Sequence, residues 1–526
     1  MNGAECLLRT LLAHDVDLCL MNPGTSEMQF VAALDRAPRM RGVLGLFEGV
    51  CSGAADGYAR MTGRPAATLF HLGPGLGNAL ANLHNARKAR SPVVNIVGEH
   101  ATHHLGHDAP LTADTEAFAR PVSGWVRTLE RAGAMGEAAS AAVAAALGPP
   151  GQVASLIVPA DFSWSDAGEP GCPAPRPGRS LPDGERVRDI ACALRSGHAV
   201  GLLLSGNALQ ARGLRAAERV RAATGARVFA DRYAARTTRG GDIPAVERIP
   251  YFPEQAQALL AGLERLILVE ARPPVSFFGY PGVRSSLAPA GCTFDVLASE
   301  DQDGAGALEW LAEELGARSP ASGTADPARP ALPGGEPLTA AAIGRTVGAL
   351  MPEGAIVSDE TVSSNAQIWP HLAGAAWHDH LPVTGGAIGQ GLPVALGAAL
   401  ACPGRKVVAL EADGSAMYTL QSLWTMARER LDVTIGVLAN RRYRILDIEM
   451  RRTGSGAVGP RADEMIDLTR PEPDWIKLAE GFGVQASRAT TADEFIRQFG
   501  AAMREPGPRL IEAVIEDRGL QSEPRT

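Results

Sequence analysis

The sequence predicts three doubly wound α/β domains, each a parallel sheet with helices on both faces. Three observations carry this expectation. At 526 residues the chain is too long for one hydrophobic core. Two Pro/Gly-rich stretches, 166–185 and 316–337, cut it into three parts of similar size, and segments of that composition suit linkers. Within each part, short continuous runs of Val, Ile and Leu alternate with longer helical patterns. That is the signature of strands covered on both faces and joined by crossover helices. The expected domains are residues 1–165, 186–315 and 338–520.

Taken in order, the opening MNGAECLLRTLLAHDVDLCL reads as an amphipathic helix leading into a strand, not as a signal peptide. Strands are expected at 66–72, 93–99 and 155–160 in the first part, and at 199–206 and 265–271 in the second. The third part offers 355–360, 406–414, 433–440 and 509–516. In such sheets ligands gather at the carboxyl ends of the strands, so the informative residues should follow these runs. The net charge of −8 and pI near 5.8 argue against nucleic acid or an anionic membrane as partner. No run approaches 18 apolar residues, and the seven cysteines, an odd number without close pairing, fit a reducing, cytoplasmic setting.

The third part carries the clearest chemistry. The run KVVALE ends in Ala412-Asp413-Gly414-Ser415, and the next strand ends in Asn440, 27 residues after Asp413. Side-chain oxygens at the ends of two neighbouring parallel strands can share one hard cation such as Mg²⁺. Gly414 permits close backbone approach, and a helix start just beyond offers free N–H groups to an anion. A plain strand-to-helix turn capped by Asp and Ser explains the same residues equally well. In the first part, Glu48 follows an apolar run and opens a helix of small residues. Gly49, Ser52, Gly53, Ala54 and Ala55 would admit a subunit or a flat cofactor at close range. A lone Glu there could equally be a dipole partner. The loop His100, His103, His104, His107, Asp108 lacks the spacing of a metal site and reads as a pocket rim. The arginines after Asn440, with Asp447 and Glu449, read as a salt-bridged helix face.

Over nearly its whole length the chain resembles the acetolactate synthase and benzoylformate decarboxylase branch of thiamine-diphosphate enzymes. The resemblance rests on Asn22-Pro23-Gly24, Glu48, Asp56 to Arg60, Gly73 to Gly75, Asn78, the turn 385–393 and the Asp413–Asn440 segment. It implies a pyrimidine-binding, a central and a diphosphate-binding domain. Glu48 would hydrogen-bond N1′ of the aminopyrimidine and act with His71 as a catalytic residue. Asp413, Asn440 and the Arg442 carbonyl would ligate Mg²⁺, and Ser363 and Ser415 would contact the diphosphate. Gly386 and Ile388 would line the cofactor, Ile388 holding its two rings in a V. Thr25, His71 and Phe278 would meet the substrate.

The implied activity is decarboxylation of a 2-oxo acid to a cofactor-bound enamine, followed by aldehyde release or transfer to a carbonyl acceptor. The alternatives are an acetolactate synthase proper and a catalytically impaired, cofactor-binding paralogue. A homodimer or homotetramer with active sites between subunits is implied as well. Three departures stand out. Ala412 replaces a glycine and would be strained by about 1 kcal/mol if it needed positive φ. Val362 replaces a threonine, and the decarboxylases' second histidine is missing from 274–280 (PVSFFGY). Residues 205–214 lack a dinucleotide fingerprint, so FAD is not expected.

Overall fold

Strands form where the apolar runs fall. The computed structural model describes residues 1–173, 175–318, 328–454 and 458–515. The first sheet uses β1 (Leu18–Met21), β2 (Arg41–Leu44), β3 (Ala66–Phe70), β4 (Val93–Glu99), β5 (Trp125–Thr128) and β6 (Val153–Pro159). The middle of the chain adds β7 (Val200–Leu204), β8 (Arg227–Ala230), β9 (Thr237–Arg239), β10 (Glu247–Arg248), β11 (Arg265–Val269) and β12 (Thr293–Ala298). The last third adds β13 (Ala355–Glu360), β14 (His378–Pro382), β15 (Val407–Ala412), β16 (Val433–Ala439), β17 (Gln485–Ala489) and β18 (Arg509–Val514).

The sheets run β2-β1-β3-β4-β6-β5, β10-β8-β7-β11-β12 and β17-β18-β16-β15-β13-β14-β9. Within them β9 is antiparallel to β14, and every other pairing is parallel. The antiparallel strand comes from the middle segment and closes the edge of the third sheet, a crossing that apolar runs do not reveal. Three of the strands outside the expected runs have a physical reason for their silence. β12 and β17 are half-exposed. β14 buries His378, Asp379 and His380, and Asp379 is neutralised by Arg236 at 2.7 Å and Arg405 at 2.8 Å. The opening helix is Gly3–Ala13 and leads into β1, as expected. Of the second linker, residues 319–327 lie outside the described residues.

Two helices set the relation between the first and third sheets. The helix Glu48–Thr62 crosses the helix Gly391–Ala401 at backbone contact. A Cβ added at Gly397 would fall 1.9 Å from the Ala54 carbonyl oxygen, and one at Gly57 would fall 2.2 Å from that of Val394. The small residues at 49–55 thus receive a helix of the same chain. One continuous hydrophobic core joins the two sheets across this contact. Polar groups close its rim. Asp56 and Arg60, both buried, pair at 2.5 Å. Arg60 also donates to the Pro382 carbonyl at 2.8 Å and to Thr384 at 2.9 Å, while Gln390 donates to Asp56 at 2.7 Å. Asn82 donates to the carbonyls of Gly49 at 2.8 Å and Gly389 at 3.1 Å, and Asn85 donates to that of Ala387 at 2.8 Å.

Gly397→Val should therefore lower stability by about 1–3 kcal/mol or more, since neither backbone can retreat without opening the shared core. Gly77→Ala, in a helix with nothing within 4 Å of the new Cβ, should be neutral or stabilise by about 0.5–1 kcal/mol. Thermal denaturation of the two variants beside the parent checks both.

Candidate active site

At the carboxyl end of the first sheet, Glu48 opens its helix after the extended residue Phe47. Its side chain is buried, and Oε2 accepts a hydrogen bond from Asn78 Nδ2 at 3.0 Å. His71 stands at the end of β3, before Leu72, whose φ of 50° is uncommon for a branched residue and turns the chain sharply into the helix Leu72–Ala89. Gly75 lies between the two side chains: a Cβ there would sit 3.3 Å from Glu48 Oε1 and 3.4 Å from His71 Cβ. The two residues expected to act together are thus neighbours. Asn22, Pro23 and Gly24 form the turn after β1, which presses so close to His71 that a Cβ on Gly24 would fall 2.1 Å from the ring. Thr25 is exposed at the rim, and Gly73 packs against Ala113.

Glu27 escaped the sequence reading. It is buried, with Oε2 2.9 Å from His71 Nδ1. The Gly24 N–H bonds the Glu27 carboxylate at 2.8 Å, the glutamate half of a capping box, but a glycine at the cap has no side chain for the other half and so leaves no signature in the sequence.

At the carboxyl end of the third sheet, β15 and β16 are paired and end side by side. Asp413 accepts the Gly414 N–H at 2.9 Å and the Arg441 N–H at 2.6 Å. Burial nevertheless pushes its carboxyl up to about 6. Asn440 Oδ1 accepts the Arg442 N–H at 3.0 Å, and the Arg442 carbonyl accepts the Arg444 N–H at 2.8 Å. Each of these oxygens keeps a further lone pair, and the set is the hard-oxygen donor set of a Mg²⁺ site. A cation there would offset the burial of Asp413, so the residues fit the metal. Gly414 lies under the Tyr443 ring, where a Cβ would fall 2.4 Å from Cε1, and Ser415 is buried beside it. The expected strain at Ala412 is absent: its φ of −78° and ψ of 142° are ordinary extended backbone that alanine adopts freely. The strain lies instead at Val362, whose φ of 44° is an outlier for a β-branched residue. It stands beside Ser363, in the turn expected to meet the diphosphate.

Under these turns lies a pair of fully buried carboxyls, Glu360 and Glu411, opposite each other on β13 and β15. Glu360 accepts the N–H groups of Gly389 at 2.7 Å and Gly391 at 2.6 Å, and so holds the turn that carries Ile388, itself half-buried. Neither oxygen of Glu411 has a hydrogen-bond donor. Burial pushes Glu360 up to about 7 and Glu411 well above the usual carboxylate range. The adjacent Asp359 is also buried, but hydrogen bonds from His380 at 3.1 Å and from the Thr361 hydroxyl and amide hold it low.

Gly386, at φ 78°, meets the Phe277 ring, which a Cβ would approach to 2.5 Å. Phe277, rather than Phe278, faces this turn. Phe278 stacks edge-on against it with ring centres 4.7 Å apart and is 52% exposed. The helix Arg444–Arg452 is salt-bridged as expected, Arg451 to Asp447 at 3.0 Å and Arg452 to Glu254 at 2.7 Å. The rings of His100, His104 and His107 touch in series, and among the described residues no cluster of His, Cys, Asp and Glu is arranged to hold a metal. At the carboxyl ends of the central sheet a cavity of about 850 Å³ opens between domains. Glu270, at φ 52°, places its carboxylate there on the amides of Asn207 at 3.3 Å and Gly304 at 3.0 Å, with Arg179 at 2.7 Å.

The domains built on these two sheets are matched by known proteins. Residues 1–118 match the N-terminal TPP-binding domain of thiamine pyrophosphate enzymes, and residues 362–513 match the C-terminal TPP-binding domain. The chain belongs to the thiamine pyrophosphate enzyme family, on its acetolactate synthase and decarboxylase branch. It is 52% identical to the "Putative acetolactate synthase large subunit IlvX" of Mycobacterium tuberculosis, over 98% of this chain and 99% of that one. It is 28% identical to benzoylformate decarboxylase of Pseudomonas aeruginosa, over 95% and 96% of the two chains. The fold is that of the thiamine diphosphate-dependent 4-hydroxybenzoylformate decarboxylase of Rhodococcus jostii, with a TM-score of 0.85, 24% identity and coverage of 98% and 99%. No described helix is long and apolar enough to cross a membrane.

The Glu360–Glu411 pair makes stability depend on pH. Both carboxyls bind protons more tightly folded than unfolded, so their contribution is full below pH 4.5; that of Glu360 is lost as pH rises through about 7, and that of Glu411, raised well above its usual range, is lost as pH rises further. The melting temperature should fall between pH 5.5 and 8.5, and Glu411→Gln should flatten that fall. Scanning calorimetry across this range checks it.

Proposed function

We propose that the protein is a thiamine-diphosphate- and Mg²⁺-dependent lyase or carboligase that removes CO₂ from a 2-oxo acid, then releases an aldehyde or passes the acyl unit to a carbonyl acceptor. The observation that carries this reading is the placing of Glu48 and His71 on either side of Gly75, in the domain matched to the family's N-terminal TPP-binding domain. Thiamine diphosphate, when bound, supplies the carbon nucleophile and the electron sink that decarboxylation needs. Asp413, Asn440 and the Arg442 carbonyl would hold Mg²⁺, and Ser363, Ser415 and the Gly386 backbone would receive the diphosphate. Ile388, on the turn that Glu360 fixes, would support the cofactor's bent shape. Asn78 orients Glu48, whose task is to hold a proton at N1′ of the pyrimidine. His71 would exchange a proton with the bound acid, with Thr25 at its edge. Phe277 and Phe278 give the far wall an apolar surface in place of a second imidazole.

That apolar wall, together with the name of the 52% identical relative, favours a second reading, an acetolactate synthase that joins two 2-oxo acids. A catalytically impaired paralogue is the less supported reading, since Glu48 is present and Ala412 is unstrained. The site is proposed to be completed by a second copy in a cytoplasmic homodimer or homotetramer.

CO₂ release from pyruvate, 2-oxobutyrate and benzoylformate, with and without thiamine diphosphate and Mg²⁺, tests the reading. Release should require both additions, and the product, an aldehyde or a hydroxy-keto acid, separates the two activities. Glu48→Gln should bind thiamine diphosphate normally by titration calorimetry yet lose roughly 100-fold or more in turnover. Undiminished turnover in that variant, or no release from any acid by cofactor-loaded protein, would count against the proposal. Asp413→Ala should weaken the Mg²⁺ requirement curve towards higher metal concentration without unfolding the chain, as followed by circular dichroism.

A further inference from the structure

Glu27 has no task in the reading above, yet its surroundings are built with care. The turn Thr25–Glu27 leaves β1 and folds its last side chain beneath the backbone, where it is 4% exposed. Oε2 accepts the Gly24 amide at 2.8 Å and stands 2.9 Å from His71 Nδ1. Oε1 has no hydrogen-bond partner and occupies the space over Gly98 of β4, where an added Cβ would fall 1.8 Å from it. Gly24 in turn lies against the imidazole itself. Elements from three separate parts of the first sheet therefore fix one edge of the His71 ring. The other edge remains reachable, since the His71 side chain is 20% exposed against 3% for Glu27.

The geometry also decides where the shared proton sits. Oε2 accepts the Gly24 amide, and a proton on Oε2 would weaken that bond, because a neutral hydroxyl is a poorer acceptor than a carboxylate. A proton on Oε1 would be buried without an acceptor, which costs about 1–3 kcal/mol. The proton therefore belongs on Nδ1, with Glu27 a carboxylate. Burial raises the Glu27 carboxyl above its usual range, and the adjoining His71 and the Gly24 amide offset part of that rise.

We propose that Glu27 is a positioning residue that holds His71 as its Nδ1–H tautomer, leaving Nε2 as the atom that accepts and returns a proton at the bound 2-oxo acid. The inference rests on the reading of His71 as a catalytic residue. Without Glu27 the neutral ring is free to carry its proton on Nε2, and Nε2 is then unable to accept one.

The test uses full-length, cofactor-free protein labelled with ¹⁵N-histidine, at a pH where the ring is neutral, with the His71 signals identified by their loss in His71→Asn. The parent should show protonated Nδ1. Glu27→Ala should show a tautomer mixture, and Glu27→Gln, which keeps the shape and one acceptor oxygen, should stay closer to the parent. With thiamine diphosphate and Mg²⁺ added, Glu27→Ala should lose roughly 10-fold to 100-fold in kcat. Its cofactor Kd and KM should stay within about twofold, whereas a merely structural loss would move these and leave the tautomer alone. Protonated Nε2 in the parent, or an unchanged tautomer in Glu27→Ala, would overturn the proposal. If Glu27→Ala fails to fold, Glu27→Asp, which withdraws the carboxylate by one methylene, takes its place with the same expectations. His71→Ala assayed alongside separates the two claims: full turnover there would sink the catalytic reading of His71, whatever the tautomer.

Discussion

The crossing of the helices Glu48–Thr62 and Gly391–Ala401 is the contact on which the rest of the structure depends. It brings the carboxyl ends of two separate sheets into one frame, and it does so at backbone distance, because Gly53, Gly57 and Gly397 carry no side chain. Apolar burial alone would leave such a contact free to slide. The Asp56–Arg60 pair removes that freedom, since each bond that Arg60, Gln390 and Ser91 make to it has a single satisfying geometry. Removing one partner would strand a buried charge, a loss of about 3–5 kcal/mol. The asparagines of the helix Leu72–Ala89 extend the same logic to the turn 385–391. Asn78 holds Glu48, while Asn82 and Asn85 hold the backbone of the opposite domain.

The acids of the two halves have unlike surroundings. Glu48 meets Asn78 alone, while the buried Glu27 meets the Gly24 amide and His71, whose far edge is reachable, which suits groups that exchange or steer protons. Asp413 is held by two amides at the edge of a buried turn, which suits a group that meets a cation. Glu360 and Glu411 are sealed inside, and only Glu360 has donors, both from the turn that carries Ile388. Their role is architectural: Glu360 fixes the turn, and burial beside it raises the Glu411 carboxyl. The central part contributes from outside both sheets. β9 closes the third sheet, and Arg239 and Arg248 lie 3.5 and 3.6 Å from the Trp369 ring behind the Thr361–Ser364 turn. A strained residue such as Val362 persists only where its surroundings over-determine it, and this turn has such surroundings.

Much of this was legible beforehand, for identifiable reasons. Runs such as VVNIVGE and AIVSDE became β4 and β13 without a residue's change, because each opens on consecutive apolar residues, the pattern of a strand covered on both faces. β14, with the sequence HDHLP, was illegible, because its burial is made affordable by charges far away in the chain. Glu27 was missed because its partner is 44 residues distant and only the fold brings them together.

By itself the sequence determined the elements and the local turns that carry the chemistry: the apolar strands, the Asp413-Gly414-Ser415 turn, the N-P-G turn and the Glu48 helix start. Each is dictated by short-range patterning and backbone freedom, which a linear reading can see. The tertiary structure alone decided which of these meet. It chose the chain's own helix as the occupant of the small-residue face, gave Ala412 a relaxed backbone, and set Glu27 against His71. Those outcomes depend on burial and on partners remote in sequence, and the free energy of a buried polar group is fixed by its neighbours in space rather than along the chain.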